Sequence, residues 1–315
     1  MTMDTPALSV VIVNWNTVDL LDGCLQSVVD NVPPDGRVEI VVVDNASVDG
    51  SVDHLGAVWP SVRVIANDEN VGFCRANNQA IRLTVAPYVL LVNTDARLTE
   101  GCVDTLLGYL ERDKKAAVVG PRLIYADGSF QRWTAGRALS LRSCATYLLG
   151  LDRLVPRHRV FWGMYLPYDT PVAFTTGWVT SAVMLLRRAA LDEIGLLDES
   201  IFVYMDDVDL CQRATDAGWT VWYAPETTAV HFMGASTKRA TGSASPAALR
   251  ALNRWFERRY GRHSARLLQG LEVTGFGTRA VLCTARALLR GDADTRRRAR
   301  AHWALTKLSL EATGD

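Results

Sequence analysis

The stretch Tyr88-Val89-Leu90-Leu91-Val92-Asn93-Thr94-Asp95 is a run of strand-forming apolar residues that ends in an amide, a hydroxyl and a carboxylate. A run that is apolar on both faces is typical of a parallel strand covered by helices on each side of the sheet. Ligands of such sheets bind at the carboxyl ends of the strands. We therefore expect Asp95 at a ligand site, with a helix N-cap before the predicted helix 101–112 as the alternative.

Three strand-helix units precede this stretch. Their apolar strands are Leu8–Val13 before Asn14, Val38–Val43 before Asp44 and Asn45, and Val62–Ala66. Strands that alternate with helical spacing predict an α/β fold with a doubly wound, mostly parallel sheet and right-handed crossovers. We expect Asn14, Asp44 and Asp95 to face one crevice at the carboxyl edge of that sheet.

A cluster of carboxylates, Asp206, Asp207 and Asp209, opens a predicted helix that ends before Gly218. Helix N-termini favour carboxylates, but capping accounts for one of them and helps a second at most. Three charges within four positions repel one another and raise at least one pKa, which suits a general base or a cation site. We predict a functional carboxylate here, with pure capping as the alternative.

His231 follows a predicted strand over residues 220–224 and is expected within reach of Asp95. A single histidine is more often structural than a metal ligand, so the prediction that His231 binds a metal depends on the expected proximity of Asp95. One carboxylate and one imidazole, completed by diphosphate oxygens and water, suit Mg²⁺ or Mn²⁺. Zinc is disfavoured because the site contains no sulfur.

The zero net charge of the chain hides two oppositely charged parts. Residues 1–235 contain 18 Lys and Arg against 28 Asp and Glu, whereas residues 236–315 contain 16 against 6. A Ser-, Thr- and Gly-containing linker over residues 237–245 separates them. We predict a domain over residues 1–235, with halves at about 8–112 and 113–235, and a basic amphipathic helical extension over residues 236–315.

The basic extension has three interpretations. Its arginines and apolar side chains at helical spacing suit an anionic membrane surface. Nucleic acid is disfavoured because no recognised nucleic-acid motif accompanies the arginines. In the third interpretation its helices pack on the rest of the chain or on a second subunit, as in a homodimer.

The cysteines are scattered without disulfide or metal spacing, which predicts reduced, mostly buried side chains of a cytosolic protein. We see no export signal at the N-terminus and no uncharged apolar run of about 18 residues. We therefore expect a cytoplasmic protein that meets the inner face of the cell membrane peripherally, if at all.

Several linked motifs resemble those of the family 2 glycosyltransferases of GT-A fold. The motifs in the second half of the chain resemble a bacterial rhamnosyltransferase-like branch in order and spacing. The motifs are Ser9–Asn16, Val43–Gly50, Asn70–Phe73 with Asn77 and Asn78, Leu91–Asp95, Val179–Ala182, Gly195–Glu199, Tyr204–Cys211, Gly218-Trp219 and His231. The resemblance covers about residues 8–236. It implies a Rossmann-like, doubly wound mixed sheet.

The resemblance also implies residue roles. Asp207 matches the catalytic base, and Asn93 stands where many members carry the first Asp of a DxD metal motif, so the metal would be held more weakly. Donor-binding positions are Asn14, Asp44, Asn45, Arg75, Asn77, Asn93 and Asp95. Metal-binding positions are Asp95 and His231. Acceptor-binding positions are Trp178, Thr180 and Asp206, with a core role as the alternative for Trp178.

The implied reaction is inverting transfer of a sugar, rhamnose from dTDP-rhamnose, from a nucleotide-diphosphate donor to a hydroxyl of a cell-envelope glycan or polyprenyl-linked acceptor. The aperiodic stretch 127–171 is predicted to close over the site. One alternative is a catalytically silent nucleotide-sugar-binding scaffold, which Asn93 in place of the first Asp of DxD makes possible. Another, a nucleotidyltransferase, is disfavoured because no glycine-rich, Lys-containing phosphate loop follows the first strand.

Overall fold

The computed structural model describes residues 6–32, 37–232, 245–290 and 292–311. The chain divides into two compact units. We call residues 1–136 and 169–239 the sheet unit, and residues 137–168 and 240–315 the helical unit. The predicted boundary at residues 235–236 and nearly all of the predicted linker lie outside the described residues. The sequence-based division differs in placing residues 137–168 with the first domain.

Among the described residues, the strands lie in the sheet unit and the helices are divided between the two units. The strands are β1 (Leu8–Asn14), β2 (Val38–Asp44), β3 (Arg63–Ala66), β4 (Tyr88–Asn93), β5 (Ala96–Leu98), β6 (Ala116–Ile124), β7 (Ala135–Gly136), β8 (Phe174–Thr175), β9 (Trp178–Val179), β10 (Val183–Arg187) and β11 (Thr220–His231). The helices are α1 (Val18–Val29), α2 (Ser51–Val58), α3 (Phe73–Leu83), α4 (Cys102–Arg112), α5 (Leu141–Leu148), α6 (Leu151–Leu154), α7 (Arg188–Ile194), α8 (Asp206–Asp216), α9 (Pro246–Arg290) and α10 (Ala293–Glu311). Short 3₁₀ turns lie at Arg132–Thr134 and Arg159–Phe161. Helices α5, α6, α9 and α10 belong to the helical unit.

The main sheet is mixed, with strand order β3-β2-β1-β4-β10-β6-β11-β5 and β8 paired to β11. The four strands of the first half pair in parallel, which confirms the prediction. Strand β10 is antiparallel to both β4 and β6. The central residues of β1 and β2 are fully buried, as helices on both faces of the sheet require.

The register of the parallel strands aligns their polar ends. Asn14 at the end of β1 pairs with Asp44 at the end of β2, and Val13 pairs with Asn93 at the end of β4. The carboxyl ends of these three strands therefore form one edge, at which ligands of open α/β sheets bind.

Two strands of the second half differ from the sequence-based expectation. The predicted strand 179–186 is divided into β9 and β10, because the chain turns where Thr180 N donates to Thr134 O and Ala182 O accepts from Asn93 N. The predicted strand 220–224 continues to His231, since residues 228–230 pair with residues 122–124 of β6 beyond a register shift. Neither the turn between β9 and β10 nor the continued pairing of β11 with β6 can be predicted from local periodicity, because both depend on contacts between distant residues.

The helical unit combines the aperiodic stretch with the basic extension. Tyr260 Oη of α9 donates a 2.6 Å hydrogen bond to Leu139 O, and Arg279 Nη2 donates a 2.7 Å bond to Tyr147 O of α5. Gly275 allows close approach, since a Cβ there would lie 2.6 Å from Leu148 O. Residues 137–168 and the extension therefore share one packed core.

Helix α9 is interrupted at Gly261, which has φ 80° and ψ 167°, a backbone conformation open to glycine. Its apolar residues Trp255, Phe256 and Leu268 are buried, as predicted for one side of an amphipathic helix. Within the described residues, every helix is too short or too polar to cross a bilayer.

Candidate active site

The polar ends of β1 and β2 form one hydrogen-bond network. Asn14 Nδ2 donates to Asp44 Oδ2 at 2.7 Å and to Ser47 Oγ at 3.1 Å. Asp44 Oδ1 accepts from Ser47 N at 2.8 Å, and Asn14 Oδ1 accepts from Thr17 Oγ1 at 2.6 Å. Each carboxylate oxygen can accept a second hydrogen bond. The buried network therefore holds Asp44 in place and leaves it able to bind a further donor.

Asn45 connects this network to the start of α3. Its Nδ2 donates to Gly72 O at 3.3 Å, and its Oδ1 accepts from Asn67 Nδ2 at 2.9 Å. Gly72 has φ 86°, and a Cβ at this position would lie 2.8 Å from the Phe202 ring. The loop before α3 therefore requires glycine both for its backbone and for its contact with the segment before α8.

Strained backbone is concentrated in the same loops. Among the described residues, the non-glycine residues with positive φ are Asn16, Ala46, Tyr204 and Met205, at 52°, 60°, 64° and 69°. They follow β1, follow β2 and precede α8. Such conformations cost on the order of 1–3 kcal/mol each and persist where surrounding contacts impose them, often at functional sites. Sequence reasoning missed these positions. Ala, Tyr and Met carry no left-handed preference, and Asn16 is the one residue of the four whose type is enriched in this region.

Asp95 and His231 lie side by side. Strand β5 pairs with β11 so that Ala96 is opposite His231, and Phe232 N donates to Asp95 O at 2.8 Å. His231 Nε2 is 3.3 Å from Asp95 Oδ1, and both side chains are largely buried. The two sequence-predicted metal ligands are therefore brought together by strand pairing.

Gln131, which sequence reasoning missed, contacts the other side of His231. Its Oε1 lies 3.1 Å from His231 Nδ1, and its Nε2 donates to His231 O at 2.6 Å and to Ile124 O at 3.2 Å. The side chain is 1% exposed. Nothing in the sequence around Gln131 predicts that its side chain contacts His231.

The pair of Asp95 and His231 fits a divalent cation only in part. Among the described residues, no group of three or more His, Cys, Asp or Glu side chains is placed to hold a metal ion. A carboxylate and an imidazole are ligands that Mn²⁺ accepts, and Mg²⁺ and Mn²⁺ commonly complete their coordination with ligand oxygens and water. These two residues would therefore hold a cation that is also coordinated by a bound ligand.

Asp206 and Asp207 begin α8. Ser181 Oγ donates a 2.6 Å hydrogen bond to Asp206 Oδ2, yet burial raises the pKa of Asp206 above its ordinary value. Burial, and then the neighbouring charge of Asp206, raises the pKa of Asp207 to about 8. A half-buried carboxylate with a raised pKa, such as Asp207, is a candidate for general-base chemistry.

Asp209 has a different environment. Its Oδ2 accepts a 2.8 Å hydrogen bond from Arg213 Nε within α8, and Arg213 is held in turn by the carbonyls of Ile194 and Leu196. The three carboxylates of the expected cluster therefore have different environments, because Asp209 alone among them is engaged in an ion pair with Arg213. This ion-paired neighbour offers a matched control for Asp207.

The turn Ser181-Ala182 connects the two halves of the site. Ser181 bonds to Asp206, while Ala182 O accepts a 2.9 Å hydrogen bond from Asn93 N. The start of α8 and the end of β4 are therefore attached to adjacent residues of one turn. Phe73 N also donates to Phe202 O at 2.8 Å, which ties the start of α3 to the segment before α8.

Four other residues predicted for the site have contacts near their own helix or turn, or little exposed surface. Arg75 Nε contacts Glu199 Oε2 at 3.4 Å, and Asn77 Nδ2 donates to Phe73 O within α3. Trp178 is 4% exposed, so it offers little surface to an acceptor. Thr180 is half-buried in the turn that precedes Ser181.

The sequence matches a family. The model of the family described as Glycosyl transferase family 2 matches residues 9–195. Over 246 residues the chain is 28% identical to an N-acetylglucosaminyl-diphospho-decaprenol L-rhamnosyltransferase of Mycobacterium tuberculosis, an alignment that covers 75% of this chain and 79% of the relative. These similarities confirm the family that the motifs resemble.

The fold is also similar to those of solved structures. The mannosyltransferase PcManGT from Pyrobaculum calidifontis, solved with GDP-Man and Mn²⁺, has a TM-score of 0.61 and 17% identity over 99% of this chain and 88% of its own. GalNAc-T7, solved with UDP, GalNAc and Mn²⁺, has a TM-score of 0.57 and 15% identity over 81% of this chain and 49% of its own. The chain belongs to glycosyltransferase family 2 and has the GT-A fold.

Proposed function

We propose that this glycosyltransferase inverts the anomeric centre of a sugar that it moves from a nucleotide-diphosphate donor to an acceptor hydroxyl. The observation that carries the proposal is the turn Ser181-Ala182, which attaches the Asp206-Asp207 pair and the end of β4 to adjacent residues. A base and a donor site built on one turn can hold both reactants in line.

Asp207 is the proposed general base. It takes the proton of the acceptor hydroxyl while the oxygen forms a bond to the anomeric carbon, and the bond to the diphosphate breaks on the opposite face. A single displacement of this kind inverts the centre. The pKa of about 8 makes ionised Asp207 a stronger base than an ordinary carboxylate. Asp206, held by Ser181, orients the acceptor.

The donor is assigned to the polar edge of the sheet. Asn14, Asp44 and Asn45 hold the nucleoside, with Asp44 on the base, and Arg75 and Asn77 line the diphosphate-sugar region. Asp95 and His231, beside Asn93, would hold Mg²⁺ or Mn²⁺, which when bound neutralises charge that develops on the leaving diphosphate. The Mn²⁺ in both solved neighbours supports this assignment.

The proposed donor is dTDP-rhamnose, and the proposed acceptor is a polyprenyl-linked or other cell-envelope glycan. The mycobacterial relative, an N-acetylglucosaminyl-diphospho-decaprenol L-rhamnosyltransferase, supports both assignments.

The test is a transfer assay with matched variants of the full chain. We expect transfer from dTDP-rhamnose with Mn²⁺, and we expect Asp207→Asn to lower kcat about 10²–10⁴-fold with unchanged binding of dTDP. Asp209→Asn, two residues away, should retain most of the activity. Full turnover by Asp207→Asn would contradict the base assignment. Donor binding without transfer or hydrolysis in wild type would favour the silent-scaffold alternative.

We also propose that an exposed face of α9 docks on an anionic membrane. Leu288 and Leu289 are 82% and 87% exposed, and Val281, Leu282 and Ala285 continue the same stripe at helical spacing. Trp303 of α10 is also exposed and donates to Thr284 Oγ1 at 3.3 Å. Apolar side chains with tryptophan suit the membrane interface.

The charges around this stripe favour anionic lipid over a second copy of the chain. Arg262, Arg266 and Arg286 are exposed, and the acidic residue between positions 262 and 289, Glu272, is buried. Two copies would bring arginines together, whereas anionic headgroups attract each Arg by about 1 kcal/mol.

Vesicle sedimentation tests the membrane face. The double variant Leu288→Ser, Leu289→Ser should lose most binding to vesicles of phosphatidylglycerol and phosphatidylcholine, and wild type should bind phosphatidylcholine alone poorly. Leu83→Ser, an exposed leucine of α3, is the matched control. Unchanged binding of the double variant would overturn the assignment, as would a wild-type dimer that the double variant abolishes.

A further inference from the structure

Gln131 has an orientation fixed by its neighbours. Its Nε2 donates to two carbonyl oxygens, His231 O at 2.6 Å and Ile124 O at 3.2 Å. These carbonyls belong to the paired strands β11 and β6, in which Val230 is opposite Ile124. Rotating the amide by 180° would place Oε1 against two acceptors. The oxygen of Gln131 therefore points at His231 Nδ1.

This orientation determines the tautomer of His231. Gln131 Oε1 accepts hydrogen bonds only, and it lies 3.1 Å from His231 Nδ1. Nδ1 must therefore carry the proton. In the neutral ring, Nε2 then has a lone pair that points towards Asp95 Oδ1, 3.3 Å away.

Two acceptors that face each other at this distance repel each other, and a cation that contacts both would remove that repulsion. A histidine that binds metal through one nitrogen commonly donates its other N–H to an oxygen, which fixes the tautomer and ring orientation. We propose that Gln131 is a positioning residue that presents His231 Nε2, together with Asp95 Oδ1, to a divalent cation. The inference rests on the metal assignment of the proposed function.

The position of Gln131 beside His231 also accounts for how a site with Asn93 in place of a first carboxylate retains a cation. Asn93 contributes no negative charge, so the affinity depends more on the imidazole. A ring held in the binding tautomer loses less conformational and tautomeric freedom on metal binding, and outer-shell partners of this kind change affinity about 10–100-fold. Gln131, buried at the junction of β6 and β11, supplies that constraint from outside the reacting groups.

Two measurements test the proposal without any transfer reaction. The first is ¹⁵N-¹H correlation NMR of the wild-type His231 ring without metal at about pH 8.5, well above the ordinary imidazole pKa. We expect a protonated Nδ1 and an unprotonated Nε2. A protonated Nε2 would overturn the proposal even if every variant were unstable.

The second measurement is the affinity for Mn²⁺, alone and with dTDP, followed by electron paramagnetic resonance. Gln131→Met, similar in volume and without the amide, should weaken Mn²⁺ binding about 10–100-fold and raise the population of the Nε2-protonated ring. Gln269→Met, a buried glutamine of the helical unit, is the matched control and should bind like wild type. Equal affinity of Gln131→Met and wild type would overturn the proposal, as would wild type that binds no Mn²⁺.

These outcomes are separate from those of the proposed function. Failure of transfer with normal Mn²⁺ binding and the Nδ1 tautomer would contradict the donor, acceptor or base assignment and support the role of Gln131. Normal transfer by wild type with the opposite tautomer would overturn the role of Gln131 alone.

Discussion

Ser181 Oγ lies 2.6 Å from Asp206 Oδ2, and the next residue of the same turn accepts the backbone hydrogen bond of Asn93. The hydroxyl thus stabilises the ionised form of a carboxyl whose pKa is raised by burial. Burial, and then the charge of Asp206, raises the pKa of Asp207, so the ionisation of the proposed base is coupled to this hydroxyl.

Ser181→Ala should change the pH dependence of transfer. Without the hydroxyl, Asp206 keeps its proton to higher pH, so Asp207 experiences less negative charge and ionises at lower pH. The rise of kcat/KM should therefore move below its wild-type position. Stability should also fall by about 1–3 kcal/mol, the usual cost of losing a hydrogen bond to a charged group. Ser181→Thr, which retains the hydroxyl, should restore the wild-type profile, and an identical profile for Ser181→Ala would contradict the coupling.

The wild-type pH profile should rise with pH. Asp207 accepts a proton only when ionised, and its pKa is raised to about 8. We expect kcat/KM to increase close to tenfold per pH unit well below that value and to level off above it. The measurement is the initial rate with donor and acceptor at low concentration. Asp209→Asn should show the same profile, because Asp209 is paired with Arg213. A profile already flat from pH 5 would contradict the raised pKa.

Asp207→Asn should stabilise the fold while it removes activity. Burial raises the pKa of Asp207 from an ordinary value near 4 to about 8, so the folded protein binds the proton more tightly than the unfolded chain does. The wild-type protein therefore loses stability as pH rises from about 4 to 8, and the amide does not. We expect a gain of roughly 1–3 kcal/mol in free energy of unfolding above pH 8, and nearly none at pH 4.

Thermal unfolding at several pH values measures this difference. For a chain of this size, 1 kcal/mol corresponds to about 2–4 °C in Tm or less. The control is Asp209→Asn, which loses an ion pair with Arg213 and should not gain stability at alkaline pH. A constant Tm difference across pH for Asp207→Asn would show that its ionisation is not coupled to folding.

Met205→Gly should relieve backbone strain immediately before α8. Met205 has φ 69°, which costs a non-glycine residue about 1 kcal/mol or more and costs glycine little. We expect stability to increase by about 1 kcal/mol, measured by denaturant unfolding, and kcat to decrease because the loop that orients Asp207 becomes freer. Met205→Ala, which keeps the strain, is the control. Lower stability of the glycine variant than of the alanine variant would contradict the strain.

The first half of the fold and much of the site follow from local sequence patterns. Apolar runs that end at Asn14, Asp44 and Asn93 identify parallel strands, and parallel strands place their carboxyl ends at one edge. To predict that Asp95 and His231 lie close together, one must also assume that the segment after β4 lies beside the strand that ends at His231. Pairing of β5 with β11 provides this proximity.

The remaining features depend on contacts between distant residues. Nothing near Gln131 in the sequence shows that its amide binds the end of β11, 100 positions away. Asp209 has the same residue type and helix turn as Asp207, and only its contact with Arg213 distinguishes the two. The left-handed backbone at Ala46 and Met205 is imposed by surrounding loops against local preference. Periodicity and composition contain none of this information.

Residues 137–168 and the C-terminal extension share one core, through Tyr260 with Leu139, 121 positions apart, and Arg279 with Tyr147, 132 positions apart. Chimeras between family members should therefore exchange both segments at once. A chimera that exchanges the C-terminal extension alone would pair surfaces from two different proteins. Truncation of the extension would also expose the surface of residues 137–168 that it covers, so a loss of activity could not be attributed to the extension alone.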